Sequence, residues 1–280
     1  MEYCTWEEAV RWLLAQPDQQ KIVRDCYYDR PLKSTAARYW QSPEWQAIRA
    51  FFPMQEGYAL DLGAGNGIAS YSLAKDGWQV KALEPDQSNL VGCGAIKQLA
   101  EEAKLAIEVI QGIGENLPFN DRTFNLVFAR QALHHAQDLR ELSQEIYRVL
   151  KPGGVLVAVR EHVISYQRDL PKFLDAHPLH HLYGGENAYL LNEYLGAMTL
   201  AGLQIEKVIG SFDSVINYAP LTETSLKEEL KKRFNRILGG KIASQLLLSD
   251  HIFPQFLHLL SKIDQRPGRL FSFICHKMED

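Results

Sequence analysis

The segment YALDLGAGNG, at residues 58–67, constrains the fold of this 280-residue chain more than any other feature. A short apolar run ends in a turn with three glycines, Gly63, Gly65 and Gly67, and a helical segment follows directly. Glycines at such a turn let the backbone approach a ligand closely, while the first amides of the helix point towards that ligand. The segment therefore predicts a strand, a ligand-binding turn and a helix in succession.

This pattern continues along the chain. Apolar runs of strand length alternate with helical segments between residues 58 and 163, which is typical of a parallel sheet with helices on both faces. We predict strands at 58–62, 79–83, 106–110, 124–129 and 154–160, and helices at 68–76, 87–103 and 137–150. With two further strands, at 203–209 and 269–276, the chain is predicted to form a Rossmann-like α/β fold with a seven-stranded, mostly parallel sheet.

The segments that flank this alternation are mainly helical. We predict one domain over residues 1–280, with an N-terminal helical cap at 1–54, a cofactor-binding core at 55–218, a helical insert at 219–268 and the last strand at 269–280. Both the cap and the insert can reach the carboxyl edge of the sheet, and we expect at least one of them to cover a cavity there. The alternative role for their apolar stripes is a homodimer interface.

Composition excludes several classes of function. The net charge of −4 gives no general attraction to nucleic acid or anionic membranes, and no apolar run approaches the length of a membrane span. Glu2, Glu7 and Glu8 lie where a signal peptide would be positively charged. The cysteines are far apart and form no CxxC pair, so neither a zinc knuckle nor a disulfide framework is indicated. We expect a cytoplasmic protein that binds neither nucleic acid nor membranes.

The residues around the glycines narrow the choice of ligand. A dinucleotide-binding turn prefers a small residue at position 68, for close packing of helix on strand, and this chain has Ile68. A phosphate-binding P-loop would have Lys followed by Ser or Thr there. Glu84, which follows the second predicted strand, can accept hydrogen bonds from both hydroxyls of a ribose. The combination predicts a ligand that contains adenosine, with NAD(P) as the weaker candidate.

Two segments resemble the class I S-adenosylmethionine-dependent methyltransferases. DLGAGNG is similar to motif I of that family, and IQGIGENLPFNDRTFNLVFARQALHHAQDLRELSQEIYRVLKPGGVLVAV is similar to its next block. The resemblance extends over residues 55–165 and is greatest to small-molecule methyltransferases related to quinone C-methyltransferases. It implies that S-adenosylmethionine is the cofactor and that a small molecule accepts its methyl group.

The resemblance also implies a set of residues that bind the cofactor: Asp61, Gly63, Ala64, Gly65, Gly67, Glu84, Pro85, Ile113, Gly114, Glu115, Arg130 and Gln131. Glu84 would bind the ribose, while Asp61 and the backbone carbonyl of Arg130 would attract the ammonium group. Ile113 stands where the family usually has an aspartate for the adenine amino group, so the Gly114 backbone is expected to hold adenine. Two alternatives stay open: a catalytically inactive S-adenosylmethionine-binding regulatory protein and an NAD(P)-dependent oxidoreductase.

Polar side chains follow the fourth and fifth predicted strands, at the edge of the sheet where an acceptor would bind. We predict His134 and His162 as candidate general bases, because an unperturbed histidine pKa of about 6.5 suits proton transfer at neutral pH. Arg160 is predicted to hold a carboxylate or phosphate of the acceptor. The competing interpretation is structural, with His134 packed under the following helix and Arg160 paired with Glu161.

A third polar group lies in HPLHHLYGGENAY, residues 177–189, where three histidines precede a Gly-Gly turn. Such a loop could bind the acceptor, close over it, or hold a metal ion through nitrogen ligands. We predict no metal site, because the chain has no HExxH motif or comparable spacing of ligands.

Overall fold

A computed structural model describes residues 3–54, 57–177, 179–238 and 252–279, without the side chains of 234–238. Its described part contains one sheet, formed by β1 (Tyr58–Leu62), β2 (Gln79–Glu84), β3 (Ile107–Gln111), β4 (Phe124–Arg130), β5 (Leu150–Ile164), β6 (Tyr189–Leu190), β7 (Gln204–Ile209) and β8 (Arg269–His276). The strand order is β3-β2-β1-β4-β5-β8-β7, and β6 pairs with the end of β5. β8 is antiparallel to β5 and β7, and the other pairs are parallel. The predicted mostly parallel α/β fold is confirmed, and the two-residue β6 adds an eighth strand to the seven expected.

Helices cover both faces of this sheet. The described residues form α1 (Trp6–Leu14), α2 (Gln20–Asp25), α3 (Leu32–Trp40), α4 (Pro43–Ile48), α5 (Ile68–Lys75), α6 (Cys93–Ala103), α7 (Leu139–Val149), α8 (Leu170–Ala176), α9 (His180–Tyr183), α10 (Leu191–Leu200), α11 (Val215–Tyr218), α12 (Glu223–Leu238) and α13 (Phe253–Ile263). Among the helices of this described part, none has both the length and the apolar character needed to cross a bilayer.

Two elements have boundaries that differ from the prediction by more than two residues. α6 begins at Cys93 rather than at residue 87, because Asp86 forms a turn in which its side chain accepts the Ser88 amide (2.6 Å) and its carbonyl accepts the Cys93 amide (2.8 Å). β5 is longer than the predicted 154–160, because it pairs with β4, β8 and β6 along its length. The extension of β5 carries its C-terminal residues to the edge where the ligand site lies.

Alternating side chains of the strands form two apolar cores, one on each face of the sheet. On one face, Leu60, Val127 and Leu156 pack with the apolar sides of α7 and α10. On the other face, Ala59 and Phe128 pack with α3, α4 and α5. The central strands are therefore buried on both faces, which explains why their sequences are continuously apolar.

The N-terminal cap and the insert pack in different places. α1 and α2 contribute Val10, Leu13 and Val23 to a cluster with Leu179, the residue before α9. α12 and α13 pack against each other and against α11 in a separate cluster. The predicted insert also includes residues 239–251, which lie outside the described residues.

Candidate functional site

A cavity of about 690 Å³ lies at the carboxyl ends of β1, β2, β4 and β5. This volume is typical of small-molecule sites, and the position is the one at which open α/β sheets bind ligands. The glycine turn and the segments after these strands form its inner wall. The N-terminal cap and the loop around α9 form its outer wall.

Glu84 and the glycine turn form a preformed unit at one end of the cavity. The Glu84 carboxylate accepts hydrogen bonds from the Gly65 amide (2.8 Å) and the Asp86 amide (3.0 Å). Burial raises the pKa of Glu84 to about 7, although the two amides lower it. Gly65 has a φ of +55°, and a Cβ built on it would meet no atom within 4 Å. The open side of Gly65 therefore faces the space in which a ligand would lie.

The same half of the cavity has a charged end and an apolar end. Asp61, buried at β1, accepts a hydrogen bond from the Ser70 hydroxyl (2.5 Å), and burial raises its pKa to about 6. At the apolar end Ile113 is 56% exposed and lines the cavity. A Cβ on the adjacent Gly114 would lie 2.5 Å from Leu142 Cδ1, so glycine allows the backbone to pass this close to α7. Such a site suits a ligand with a cationic group and a flat apolar ring.

A β-bulge in β5 sends the side chains of Arg160 and Glu161 in different directions. The pairing of β5 with β8 shifts just before Glu161, and Arg160 has a φ of +62°. Arg160 Nη1 consequently donates to the carbonyls of Ile216 (2.8 Å) and Ala219 (3.1 Å), and its Nε lies 3.9 Å from Glu44. Arg160 thus lies in the buried contacts of α4 and α11, outside the cavity lining, where it is not placed to hold an acceptor.

Glu44 also engages the side chain of Arg130. Nε and Nη2 of Arg130 donate to the Glu44 carboxylate at 2.7 and 3.3 Å, and Nη1 donates to Gln131 Oε1 at 3.1 Å. The guanidinium of Arg130 is therefore held by the protein, and Arg130 is one of the residues that line the cavity. Gln131 has a φ of +53°, which marks a sharp turn directly after β4.

His134 lies at the other end of the cavity, buried between two carboxylates. Its Nδ1 donates to Glu161 (2.8 Å), which also accepts the backbone amides of Ala132 (3.1 Å) and His134 (3.0 Å). Its Nε2 lies 3.6 Å from Oε2 of Glu186. Burial disfavours the charged ring, but the hydrogen bond to Glu161 and the nearby negative charges of Glu161 and Glu186 outweigh burial and raise the pKa of His134 to about 9.

His162 lies beside His134, with 4.8 Å between the ring centroids. Its Nδ1 donates to the Gly268 carbonyl (2.9 Å), because a carbonyl can only accept, and this leaves a lone pair on Nε2. Burial and the neighbouring His134 cation lower the pKa of His162 to about 3. A general base works best with a pKa near the working pH, so these values do not favour the base roles predicted for the two histidines.

The N-terminal cap closes over the loop that carries α9. The Trp6 ring packs against Tyr183 with 4.5 Å between centroids and lies edge-on to Tyr28 at 6.0 Å. The Cys4 amide also donates to the Leu182 carbonyl (2.9 Å). Trp6, Tyr28 and Tyr183 line the cavity, whereas the described residues of the insert do not. The flanking segment that covers the cavity is therefore the cap.

Comparison with known proteins relates part of this chain to one family. A family profile described as "Methyltransferase domain" matches residues 60–158, which include the glycine turn, Glu84 and His134. The chain is 32% identical over 124 residues to the uncharacterized methyltransferase YcgJ of Bacillus subtilis, over 41% of this chain and 45% of that protein. It is 37% identical over 101 residues to the demethylmenaquinone methyltransferase of Lactococcus lactis, over 36% of this chain and 40% of that protein. The chain thus spans less than half the length of these curated relatives.

A solved structure shows the same fold over most of the chain. Geranyl diphosphate C-methyltransferase from Streptomyces coelicolor A3(2) superposes with a TM-score of 0.59 and 14% identity, over 96% of this chain and 87% of that one. At this identity the likeness is one of fold alone. Over residues 60–158 the chain matches the methyltransferase family, in agreement with the resemblance to the class I S-adenosylmethionine-dependent methyltransferases. The resemblance stated from the sequence is confirmed, and the cofactor expected from it is the one that names the family.

Most of the residues predicted for the site line the cavity. They are Asp61, Gly63, Ala64, Gly65, Glu84, Pro85, Ile113, Gly114, Glu115, Arg130, Gln131, His134 and His162. Gly67 instead packs under α6, where a Cβ would lie 3.1 Å from Ile96, and Arg160 lies in the Glu44 contacts. The roles of these residues towards cofactor and acceptor stay predictions.

Several residues in or next to the site were missed or given no role from the sequence. Glu161 was given no role except that of a possible partner for Arg160. A β-bulge has no recognisable sequence pattern, so the contact of Glu161 with His134 could not be foreseen. Glu186 was one of many polar residues in its loop. Glu44 and Trp6 lie on N-terminal helices that follow ordinary helical periodicity, and no local signal marks either as a site residue.

Proposed function

We propose that this protein transfers the methyl group of S-adenosylmethionine to a small molecule. The observation that supports the proposal best is the preformed unit of Gly65 and Glu84, at one end of a cavity whose other end holds His134 and His162. The first end suits an adenosine cofactor, and the second leaves polar groups for an acceptor. The match to the methyltransferase family over residues 60–158 agrees with this division.

In the proposed complex the cofactor extends along the inner wall of the cavity. The ribose hydroxyls donate to Glu84, and the open side of Gly65 gives the ligand room to approach the turn. Asp61 attracts the ammonium group through its negative charge, and Ile113 packs on the adenine ring. The bound cofactor supplies a methyl group already activated by its sulfonium sulfur.

The protein's part in the reaction is to bring the acceptor into line with that methyl group. The cofactor would supply its methyl carbon to the acceptor atom as its carbon–sulfur bond breaks, and S-adenosylhomocysteine would be the second product. We infer that His134 and His162, whose rings line this end of the cavity, orient the acceptor. Trp6 and Tyr183 cover this end and exclude water.

The geometry does not support the two alternatives, an NAD(P)-dependent oxidoreductase and a catalytically inactive binding protein. Ile68 begins α5 as a buried residue, at the position where a dinucleotide-binding turn needs a small one. A binding protein without activity would need no space beyond the cofactor, yet the cavity continues to His134 and His162. Both observations favour a methyltransferase over an NAD(P)-dependent enzyme and over an inactive binding protein.

Titration calorimetry with S-adenosylhomocysteine and with NAD tests the cofactor half of the proposal. S-Adenosylhomocysteine should bind, and Glu84→Ala should weaken it by about 1.5–3 kcal/mol, the usual contribution of hydrogen bonds to a charged group. Glu108→Ala, on the neighbouring β3 and exposed, is the matched control and should bind like the wild type. Tight NAD binding, or equal affinities of the two variants, would contradict the assignment. Turnover with a panel of acceptors then separates an enzyme from a binding protein.

A further inference from the structure

Three side chains converge at the histidine end of the cavity. One ring nitrogen each of His134 and His162 and one carboxylate oxygen of Glu186 all lie within 4.8 Å of one another. His134 Nε2 and Glu186 Oε2 are 3.6 Å apart, which is too long for a hydrogen bond. All three residues line the cavity, so a ligand in it can reach the point between them.

The two histidines are oriented by partners behind them. His134 Nδ1 donates to the Glu161 carboxylate (2.8 Å), and His162 Nδ1 donates to the Gly268 carbonyl (2.9 Å). In each ring the other nitrogen, Nε2, is left for a ligand in front. Histidines that bind metal ions almost always donate their second ring nitrogen to a carboxylate or carbonyl in this way.

Glu186 supplies a negative charge beside these rings. Its Oε1 accepts a hydrogen bond from the Tyr183 hydroxyl and lies 3.6 Å from His177 Nε2. Its Oε2 has no hydrogen-bond partner, although the side chain is only 6% exposed. A buried carboxylate oxygen without a hydrogen-bond partner costs free energy. A cation or a proton bound in front of Oε2 would remove that cost.

We propose that His134, His162 and Glu186 bind a divalent transition-metal ion. Two imidazoles and one carboxylate are a usual protein ligand set for catalytic zinc and for non-haem iron(II), and both leave coordination positions open. Zinc bonds of about 2.1 Å place tetrahedral ligand atoms about 3.4 Å apart, close to the observed separation of His134 Nε2 and Glu186 Oε2. The His162 nitrogen lies within 4.8 Å of these two atoms, so its ring would have to move closer to complete the set.

This proposal revises the prediction of no metal site. The three ligands come from the turn after β4, from β5 and from the loop before β6, so no local spacing such as HExxH reveals them. The open positions of the ion face the cavity, where they would bind an oxygen or nitrogen atom of the acceptor. That role rests on the proposed methyltransferase function, whereas binding of the ion itself does not.

Titration of the full-length, chelator-treated protein with Co²⁺ tests the site, because the visible spectrum of cobalt reports its ligands. We expect one Co²⁺ per chain, displaced by Zn²⁺, with a spectrum of nitrogen and oxygen ligation. Glu186→Gln and His162→Ala should each weaken binding at least about tenfold. His276→Ala, at a half-exposed histidine paired with Glu206, is the matched control and should bind as the wild type does.

Three results would overturn the proposal. The wild type could bind no Co²⁺ stoichiometrically, which would mean that a proton on His134 satisfies Glu186. Both site variants could bind Co²⁺ as tightly as His276→Ala. A sulfur-to-cobalt charge-transfer band could assign the ion to Cys26, which also lines the cavity. Thermal unfolding of each variant shows whether it is folded. If Glu186→Gln is unfolded, His162→Ala alone is compared with the control. Binding of S-adenosylhomocysteine in the presence of chelator tells a failure of this site from a failure of the proposed function.

Discussion

At the scale of single residues, two effects act in opposite directions on the ionisation of Glu84 when no cofactor is bound. As a carboxylate it accepts the amides of Gly65 and Asp86, yet burial disfavours its charge and raises its pKa from 4.5 to about 7. A carboxyl group with a raised folded-state pKa contributes stability below the unfolded-state value, and this contribution is lost as the pH rises through the folded-state pKa. Ionised Glu84 therefore destabilises the free protein at neutral pH, and a ligand with hydroxyl donors would relieve that cost.

Glu84→Gln should remove this dependence on pH. We expect the free energy of unfolding of the variant, relative to that of the wild type, to increase between pH 5 and pH 8 by at most about 3 kcal/mol. Urea unfolding of both proteins at the two pH values measures the change, and titrations of all other groups cancel in the comparison. A difference between the proteins that stays constant with pH would mean that Glu84 ionises in the folded state as it does in the unfolded chain.

Gly65 lies in the glycine turn with its open side facing the cavity. Because a Cβ there would meet open space, Gly65→Leu should fill the cavity next to Glu84 without clashing with the protein. The left-handed backbone costs any L-residue about 1–2 kcal/mol, so Gly65→Ala shares that cost and is the control. In calorimetry the leucine variant should lose S-adenosylhomocysteine binding, while the alanine variant keeps most of it. Comparable binding by both folded variants would show that the turn does not approach the ligand.

At the scale of elements, the sequence is informative where one element is read by itself. The strands and the helices α5 and α7 follow apolar periodicity and local signals, such as Asp138, whose side chain accepts the amides of Arg140 and Glu141 at the start of α7. The glycine turn and Glu84 are also local, since strand, turn, helix and strand succeed one another. The cofactor half of the site could therefore be predicted.

The acceptor half could not be predicted in the same way, because its geometry depends on contacts between distant elements. The bulge in β5 arises from its pairing with β8, and it alone decides that Glu161 rather than Arg160 meets His134. The pKa values of His134 and His162 likewise depend on burial and on Glu186 from another loop. A homodimer interface stays a prediction.

α4 contacts the ends of β4 and β5 through the side chain of Glu44. Glu44 is the carboxylate next to two buried guanidinium groups, those of Arg130 and Arg160. Glu44→Gln would leave both cations without it, and breaking a buried pair in this way typically costs about 3–5 kcal/mol. Glu7→Gln, which breaks the exposed pair with Arg11, should cost at most about 1 kcal/mol. Urea unfolding compares them, and equal losses of stability would show that Glu44 is not needed by the arginines.

At the scale of the whole molecule, the cavity is enclosed by two segments far apart in the sequence. The core of the sheet supplies the half of the cavity that contains Glu84 and the glycine turn. The outer wall of the cavity joins α1 of the N-terminal cap to the loop around α9 through Trp6 and Tyr183, and the Cys4 amide donates to the Leu182 carbonyl across the same boundary. A ligand that enters or leaves past this boundary must separate the two segments, so their contact should set the rate of exchange.

Trp6→Ala tests whether this boundary acts as the cover of the site. Loss of the ring removes its packing on Tyr183 and Tyr28, so S-adenosylhomocysteine should dissociate at least about threefold faster. Trp12→Ala removes the same side chain from the same helix at a position that is 46% exposed and outside the cavity lining, and dissociation from it should match the wild type. Stopped-flow displacement measures both rates, and hydrogen exchange of residues 179–186 should rise in the Trp6 variant alone, because those amides lose the helix that covers them. If the two variants release the ligand at the same rate, exchange does not require the cap to open, and the ligand must leave by another side of the cavity.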